Sequence, residues 1–436
     1  MQGARSVCSL QFAAHSRDGS ALGGARVFGG CSAALGVKHW RLRNKLAMLV
    51  PRYSPRMIDY PIRLRKAQAR MIDLGVDLMF LPYSASLHYL MGVAREEQNF
   101  GNTIYPGDWI TGAWIAADSA PILTLPRMQA AFHGTHTQHA ARVLPDAGDP
   151  LALVQDVLAA LRISGKARVA IEDRARAEAV LNIQALLPGM ALTCASDILQ
   201  PLRMLKDAAE IEVMRKAGAI TEAAYEATLS RIKPGMTNLD LITEVNYQLL
   251  KAGSFAPSFQ TSFYNMGPGF PFAFGNAADV MLVPLAPPVA ICFDFGAVLD
   301  GYCYDFGRAV HFGEPGAEYR RAYDLVIASQ AAGIAALKAG NTCEQADAAA
   351  RAVIVDGGYG EGFRHRLGHG IGMDVHEPPF LTAGSSTVME PGMCFTVEPS
   401  ITLPHVFSAR VEDVVVVGET GGMALTARFK ELRVYA

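Results

Sequence analysis

Ile291-Cys-Phe-Asp294-Phe-Gly, followed by Gly301-Tyr-Cys-Tyr-Asp305-Phe-Gly-Arg308, sets two aspartates after or within strongly apolar strands. An ionised carboxylate in such low-dielectric surroundings is costly unless a cation meets it. Arg308 is positioned to serve one of the two and cannot neutralise both. Taken singly, an Asp in an apolar run is more often a turn residue or half of a salt bridge. Three further groups occupy similar settings: Leu367-Gly-His369-Gly-Ile-Gly, Phe395-Thr-Val-Glu398-Pro and Arg410-Val-Glu412-Asp-Val-Val-Val. The glycines around His369 let a backbone approach a ligand closely and leave the imidazole accessible. Four carboxylates and one imidazole make a hard, oxygen-rich donor set with enough negative charge for two divalent ions. Such a pair can share a bridging hydroxide and deliver it to a polarised carbonyl.

Upstream of this stretch the chain alternates. Arg63 to Leu74 has helical spacing (Leu64, Ala67, Met71, Leu74), with Gly75 as its stop before an apolar strand, Val76 to Leu81. Strands at 111–116, 121–125 and 167–172 and a helix at 151–163 continue the pattern, which predicts a three-layer α/β domain over 58–200. A long helix over 207–229 follows, with Glu210, Glu212, Arg215 and Lys216 outward and Ile211, Met214, Ile220 and Ala224 inward. It stops at Ile232-Lys233-Pro234-Gly235-Met236-Thr237, where Gly ends one helix and Thr caps the next. The arrangement returns about 105 residues later as Leu337-Lys338-Ala339-Gly340-Asn341-Thr342. Two helical pairs, each associated with strands, suggest an internal pseudo-twofold repeat within an α+β domain over 201–436.

The 436 residues are half apolar and 18% charged, which excludes a disordered or fibrous protein. The net charge of -2 hides a split: residues 1–57 stand at +8 and the remainder at -10. The basic stretch is read as a leader outside the fold, disordered or not native, with Met48 and Met57 as internal starts. An acidic body argues against nucleic-acid binding, and no apolar run reaches the ~18 residues that span a bilayer. Seven dispersed cysteines without a C-x-x-C pair suit a reducing compartment, and the cytoplasm is expected, with organelle targeting by the leader as the alternative.

The order Asp294, Asp305, His369, Glu398, Glu412, with steps of 11, 64, 29 and 14, resembles the pita-bread metallopeptidases, in particular the prolidase, aminopeptidase P and creatinase branch. Leu87-His-Tyr-Leu-Met-Gly92 looks like the end of that branch's creatinase-like N-terminal domain. Leu202-Arg203-Met-Leu-Lys206 with Glu210 looks like the opening of its catalytic domain. The resemblance implies an α/β chain with a pita-bread catalytic domain built from two related halves. It also implies two divalent metal ions, manganese foremost, with cobalt, iron or zinc as substitutes. Asp294 would chelate one metal, Asp305 and Glu412 would bridge both, and His369 and Glu398 would complete the other shell. Glu398 would double as proton shuttle, His376 would contact the substrate or the tetrahedral oxyanion, Arg410 would support the site or bind a substrate carboxylate, and His365 would stand behind the ligands. The expected activity is that of an Xaa-Pro dipeptidase or aminopeptidase acting on small peptides as a homodimer.

Two departures qualify the substrate. A further family histidine would fall at Ala277, yet no His occurs from Ser254 to Val310. The aromatic, Gly/Pro-rich stretch from Asn265 to Asn276 is expected to reshape the pocket. The alternative is therefore a non-peptidase of the same fold acting on a small zwitterion, as a creatinase-type hydrolase or lyase. A non-catalytic binding module is disfavoured, since it has no physical need to keep five donors in register. His133, His136 and His139 recur every third residue, as on a solvated helical face, and His88, Asn102 and Tyr105 are expected at a subunit contact by analogy.

Overall fold

The computed structural model of the protein describes residues 58–94, 107–133, 139–271 and 280–436. The leader, Asn102, Tyr105, His136 and Ala277 lie outside them. Helix α1 (Tyr60–Asp73) begins where the Asp59 carboxylate accepts the Ile62 N–H, with proline in its first turn. Its buried stripe is Arg63, Ala67 and Met71, so Leu64 is only partly buried and Leu74 is exposed. The stripe turns toward Arg63 because Glu210 draws that guanidinium inward, at 3.2 Å.

After α1 come β1 (Leu78–Pro82), α2 (Ala85–Met91), β2 (Gly112–Ala116), β3 (Ile122–Pro126), α3 (Arg127–His133), β4 (Ala140–Leu144), α4 (Pro150–Ala160), β5 (Arg168–Ile171), α5 (Ala177–Leu186), β6 (Ala191–Cys194) and α6 (Ser196–Met204). The six strands form one mixed sheet in the order β4-β3-β2-β1-β5-β6. Leu78, Phe80, Trp114 and Val169 pack on one face with α4 and α5, while Met79, Leu81, Ile115 and Ala170 pack on the other with α1. Both faces are covered, which is why β1 reads as an unbroken apolar run and the region has three layers. Helix α3 ends at His133 and His139 precedes β4, so the repeated histidines do not share one helix. Gly134, a poor helix former, follows that end in the sequence.

Helix α7 (Ala208–Leu229) opens with a capping box in which Asp207 and Glu210 satisfy each other's backbone N–H. Glu210 is consequently buried rather than outward: its carboxylate folds back on the cap, accepts the Tyr302 hydroxyl at 2.8 Å and pairs with Arg63. Helix α8 (Asn238–Ala252) starts at a second capping box, Thr237 with Asp240. In the other half, α9 (Ala317–Ala336) leads to α10 (Cys343–Asp356), again through a capping box, Thr342 with Gln345.

The two connections match in detail. Gly235 and Gly340 both sit at φ +86°, a left-handed conformation that favours glycine. Gly235 N–H donates to the Leu285 carbonyl and Leu285 N–H to that of Met236. Gly340 and Met389 repeat the exchange, with Met389 donating to Asn341. β8 (Val289–Phe295) starts four residues after Leu285 and β14 (Cys394–Val397) five after Met389, and Asp294 and Glu398 each lie nine residues past that partner, at equivalent places.

In the first half the order β19-β11-β8-β7 joins β7 (Ser262–Phe263), β8, β11 (Phe306–Phe312) and β19 (Arg433–Tyr435). A hairpin of β9 (Val298–Leu299) and β10 (Tyr302–Cys303) connects β8 to β11. In the second half the order is β13-β12-β14-β17-β18, with β12 (Gly368–Gly370), β13 (Glu377–Leu381), β17 (Asp413–Val416) and β18 (Met423–Ala424). The pair β15 (Ser400–Leu403) and β16 (Phe407–Arg410) stands apart. Val289, Ile291, Phe293 and Phe295 face the core shared with α7 and α8, whereas Ala290 and Cys292 face that of α9 and α10. Burial on both faces explains the continuous apolar sequence around Asp294. Gly307 and Glu412 exchange backbone hydrogen bonds of 3.4 and 2.9 Å and so join the two halves at the centre.

Candidate metal centre

Five elements deliver the predicted donors to one place. Asp294 lies in β8, Asp305 immediately before β11, His369 in β12, Glu398 just after β14, and Glu412 between β16 and β17. All five line a cavity of about 830 Å³ together with His365, Arg366, His376 and Arg410. Asp305, His369 and Glu412 each offer a ligand atom within 4.8 Å of the others.

Asp294 and Asp305 are not served by Arg308. That guanidinium is fully buried on Asp413 (2.6 Å) and on the carbonyl of Glu412 (2.6 Å), because β11 carries it away from the cavity. The cation at the site is Arg410, whose Nη1 donates to Asp294 Oδ2 at 2.8 Å and Nη2 to Glu398 Oε2 at 2.6 Å. Each of those carboxylates keeps its other oxygen.

Asp305 Oδ1 and both oxygens of Glu412 are buried without a hydrogen-bond partner among the described residues. Burial, with Asp294 and Glu398 nearby, raises the pKa of Asp305 well above the usual carboxylate range. Burial with Asp305 and Glu398 does the same to Glu412. Glu398 is pushed up to about 7 by burial, against the pull of Arg410. Burial lowers His369 to about 3, so its imidazole is neutral. Its Nδ1 lies 3.0 Å from the Gly370 carbonyl, which can only accept, so Nδ1 carries the proton. The lone pair of Nε2 therefore points at Asp305 Oδ2 (3.6 Å) and Glu398 Oε1 (3.5 Å). Acceptors facing acceptors across a buried space, with the imidazole tautomer locked from behind, fit a cation.

The supporting groups follow the same logic. His365, lowered to about 4 by burial and Arg410, donates from Nδ1 to the Arg366 carbonyl at 2.7 Å and accepts the Ser400 hydroxyl at Nε2, also at 2.7 Å. His376 is exposed and stands edge-on to His369, with ring centroids 4.1 Å apart. Sequence reading missed Thr396, whose hydroxyl accepts the His369 N–H and donates to Glu398 Oε1. Its position two residues before Glu398 on one strand face was the available signal. Tyr264 and Arg366, which also line the cavity, carried no local signal.

A buried carboxylate cluster at the junction of two related half-domains, behind a three-layer α/β domain, defines a metal-dependent hydrolase of the pita-bread fold. The profile of the metallopeptidase family M24 matches residues 212–419, and that of the creatinase/prolidase N-terminal domain matches residues 63–205. The chain belongs to metallopeptidase family M24. It is 30% identical over 377 residues to the probable dipeptidase PepE of Mycobacterium tuberculosis, covering 84% of this chain and 94% of that protein. It is 30% identical to the Xaa-Pro dipeptidase of Lactobacillus helveticus over 382 residues, 86% and 99% of the two chains. Its fold resembles the crystal structure of a dipeptidase from Pyrococcus horikoshii with a TM-score of 0.76 and 28% identity, over 86% of this chain and all of that one.

Proposed function

We propose that the protein is an Xaa-Pro dipeptidase dependent on two divalent ions, with manganese as the working metal. The observation that carries the reading is the clustering of His369, Asp305 and Glu412, whose ligand atoms lie within 4.8 Å of one another, while Asp305 Oδ1 and both Glu412 oxygens have no hydrogen-bond partner among the described residues. The dipeptidase names of full-length relatives support the substrate class. In this reading Asp294 would hold one ion, Asp305 and Glu412 would serve both, and His369 and Glu398 would complete the second. When bound, the ions supply a water acidic enough to attack near pH 7 and polarise the scissile carbonyl.

The remaining work belongs to the chain. Glu398, held by the Thr396 hydroxyl and by Arg410, accepts the proton of the attacking water and returns it to the departing proline nitrogen. His376 donates to the oxygen on which negative charge develops. Arg410 holds Asp294 and Glu398 in place and offsets part of their charge, and Ser400 orients His365 behind them.

The test is a substrate panel with metal-loaded protein: Xaa-Pro dipeptides, longer Xaa-Pro peptides, and betaine-like or guanidino compounds. Turnover of the dipeptides, lost in Asp305→Ala, is expected. Turnover of the small zwitterions alone would place the protein among the non-peptidases of the fold, and undiminished dipeptide activity in Asp305→Ala would refute the metal site.

A further inference from the structure

His376 stands where the metal cavity adjoins a second one of about 1310 Å³, lined from both domains; Phe259, Gln260, Val375 and His376 border the two. Its imidazole is exposed and meets the His369 ring edge-on, and no group among the described residues hydrogen-bonds it. The backbone that carries it therefore sets its place. Between β12 and β13 that backbone wraps around the Glu377 carboxylate. Oε1 accepts the Asp374 N–H at 3.0 Å, and a Cβ on Gly372 would lie 2.9 Å from both carboxylate oxygens.

The carboxylate is in turn held from another part of the chain. Arg203, at the end of α6, donates through Nη2 to Glu377 Oε1 and to Asp374 Oδ2, the latter at 2.7 Å. Its Nη1 donates to the buried Ser86 hydroxyl of α2 at 3.1 Å. That hydroxyl donates to Glu172, just after β5, also at 3.1 Å. One planar guanidinium thus ties the N-terminal domain to the turn of His376, and charge-assisted bonds in a fixed fork hold direction as well as distance.

We propose that Arg203 is a positioning residue of the active site, acting through Glu377 to hold His376 against the metal centre, with Ser86 and Glu172 as its support in the N-terminal domain. The proposal rests on the peptidase reading above, in which His376 donates to the oxygen that gains charge. Such a donor works only at its set distance, and a displacement of about 1 Å can cost about 10²-fold in rate.

The experiment measures kcat and KM for Ala-Pro with metal-loaded parent, R203M, R203K, His376→Ala and the two double variants, after comparing metal content and circular dichroism. In R203M the Glu377 carboxylate keeps Lys206, 3.4 Å from its other oxygen, while all three Arg203 bonds are lost. R203M is expected to lower kcat by about 10–100-fold and R203K, which keeps the charge but loses the fork, by less. Once His376 is replaced, neither should change kcat by more than about twofold, the scatter between independent sites. A loss of equal size in both backgrounds shows that Arg203 acts elsewhere and overturns the proposal. A parent-like kcat in R203M or in His376→Ala overturns it too. A second readout needs no turnover: the Cε1–H NMR signal of His376 in zinc-loaded protein, identified by its loss in His376→Ala. In R203M it should move toward the position of an unstructured histidine, and an unmoved signal refutes the positioning. If R203M does not fold, R203K decides by the same cycle and the same signal. A signal that moves, in a protein whose parent turns over no Xaa-Pro dipeptide, would sink the peptidase reading and leave the positioning standing. Turnover with an unmoved signal would do the reverse.

Discussion

Asp305 and Glu412 are placed where a carboxylate without a cation costs stability, since Asp305 Oδ1 and both Glu412 oxygens are buried without a donor among the described residues. Asp305→Asn is therefore expected to stabilise the chelator-treated protein by about 1–3 kcal/mol while abolishing activity. Thermal melts with and without chelator check this, and a lower midpoint for the variant in chelator would contradict it. Glu398→Gln removes the proposed proton carrier and keeps the shape of the side chain. Its kcat should fall by about 10²–10⁴-fold even at saturating metal, measured by steady-state kinetics with metal occupancy followed by elemental analysis. At this scale the candidate donors were legible in the sequence, because each sits in an apolar or glycine-rich run that offers no local reason for a charge. Arg366 was not legible: an Arg between His365 and Leu367 has nothing in its neighbours to reveal that it lies over Phe380.

Strands and turns decide how those side chains are held. The turn before β13 carries His376, and Glu377 beside it is buried against Arg203 at the end of α6 and Lys206 in the segment that links α6 to α7. Burial works against the Glu377 charge, yet the two cations prevail and hold its pKa at about 2. A carboxyl lowered from its ordinary 4.5 contributes stability above that pH and loses it as pH falls toward 2. Glu377→Gln leaves two buried cations short of a partner and should cost about 3–5 kcal/mol at neutral pH. It should also flatten the fall in melting temperature between pH 5 and pH 2.5, and an equally steep fall would assign the acid sensitivity elsewhere. Gly307 shows the opposite constraint. A Cβ there would lie 2.9 Å from both Cβ and Oε2 of Glu412. Gly307→Ala should therefore displace that carboxylate and weaken metal affinity by about 10–100-fold, as read in a metal titration. The helix caps and the twin Gly-x-Thr turns were readable beforehand, since capping is a matter of neighbours three residues apart. The inward position of Glu210 was not, because its partners Arg63 and Tyr302 are far off in the chain.

At the scale of the whole molecule, the proposed ligands come from both halves: Asp294 and Asp305 from the first, His369, Glu398 and Glu412 from the second. Metal that binds only when the halves are assembled must stabilise that assembly. A free metal concentration one hundred times Kd should add about 2.7 kcal/mol, and chelator should remove it. Urea melts at graded manganese concentrations measure this, and a midpoint independent of metal would show that the halves hold together without it. The sequence alone determined what could be encoded locally: the donor types and their order, the alternation of buried strands with capped helices, and the repeat that makes two halves out of one pattern. Tertiary structure decided which charges meet. Arg308 pairs with Asp413 rather than with the aspartates nearest it, Arg410 spans Asp294 and Glu398, and Arg366 is left open toward the cavity. The physical reason is that side-chain pairing in a low-dielectric interior depends on distance and direction through space. Those are set only when β11, β14 and β17 have taken their register around Gly307 and Glu412.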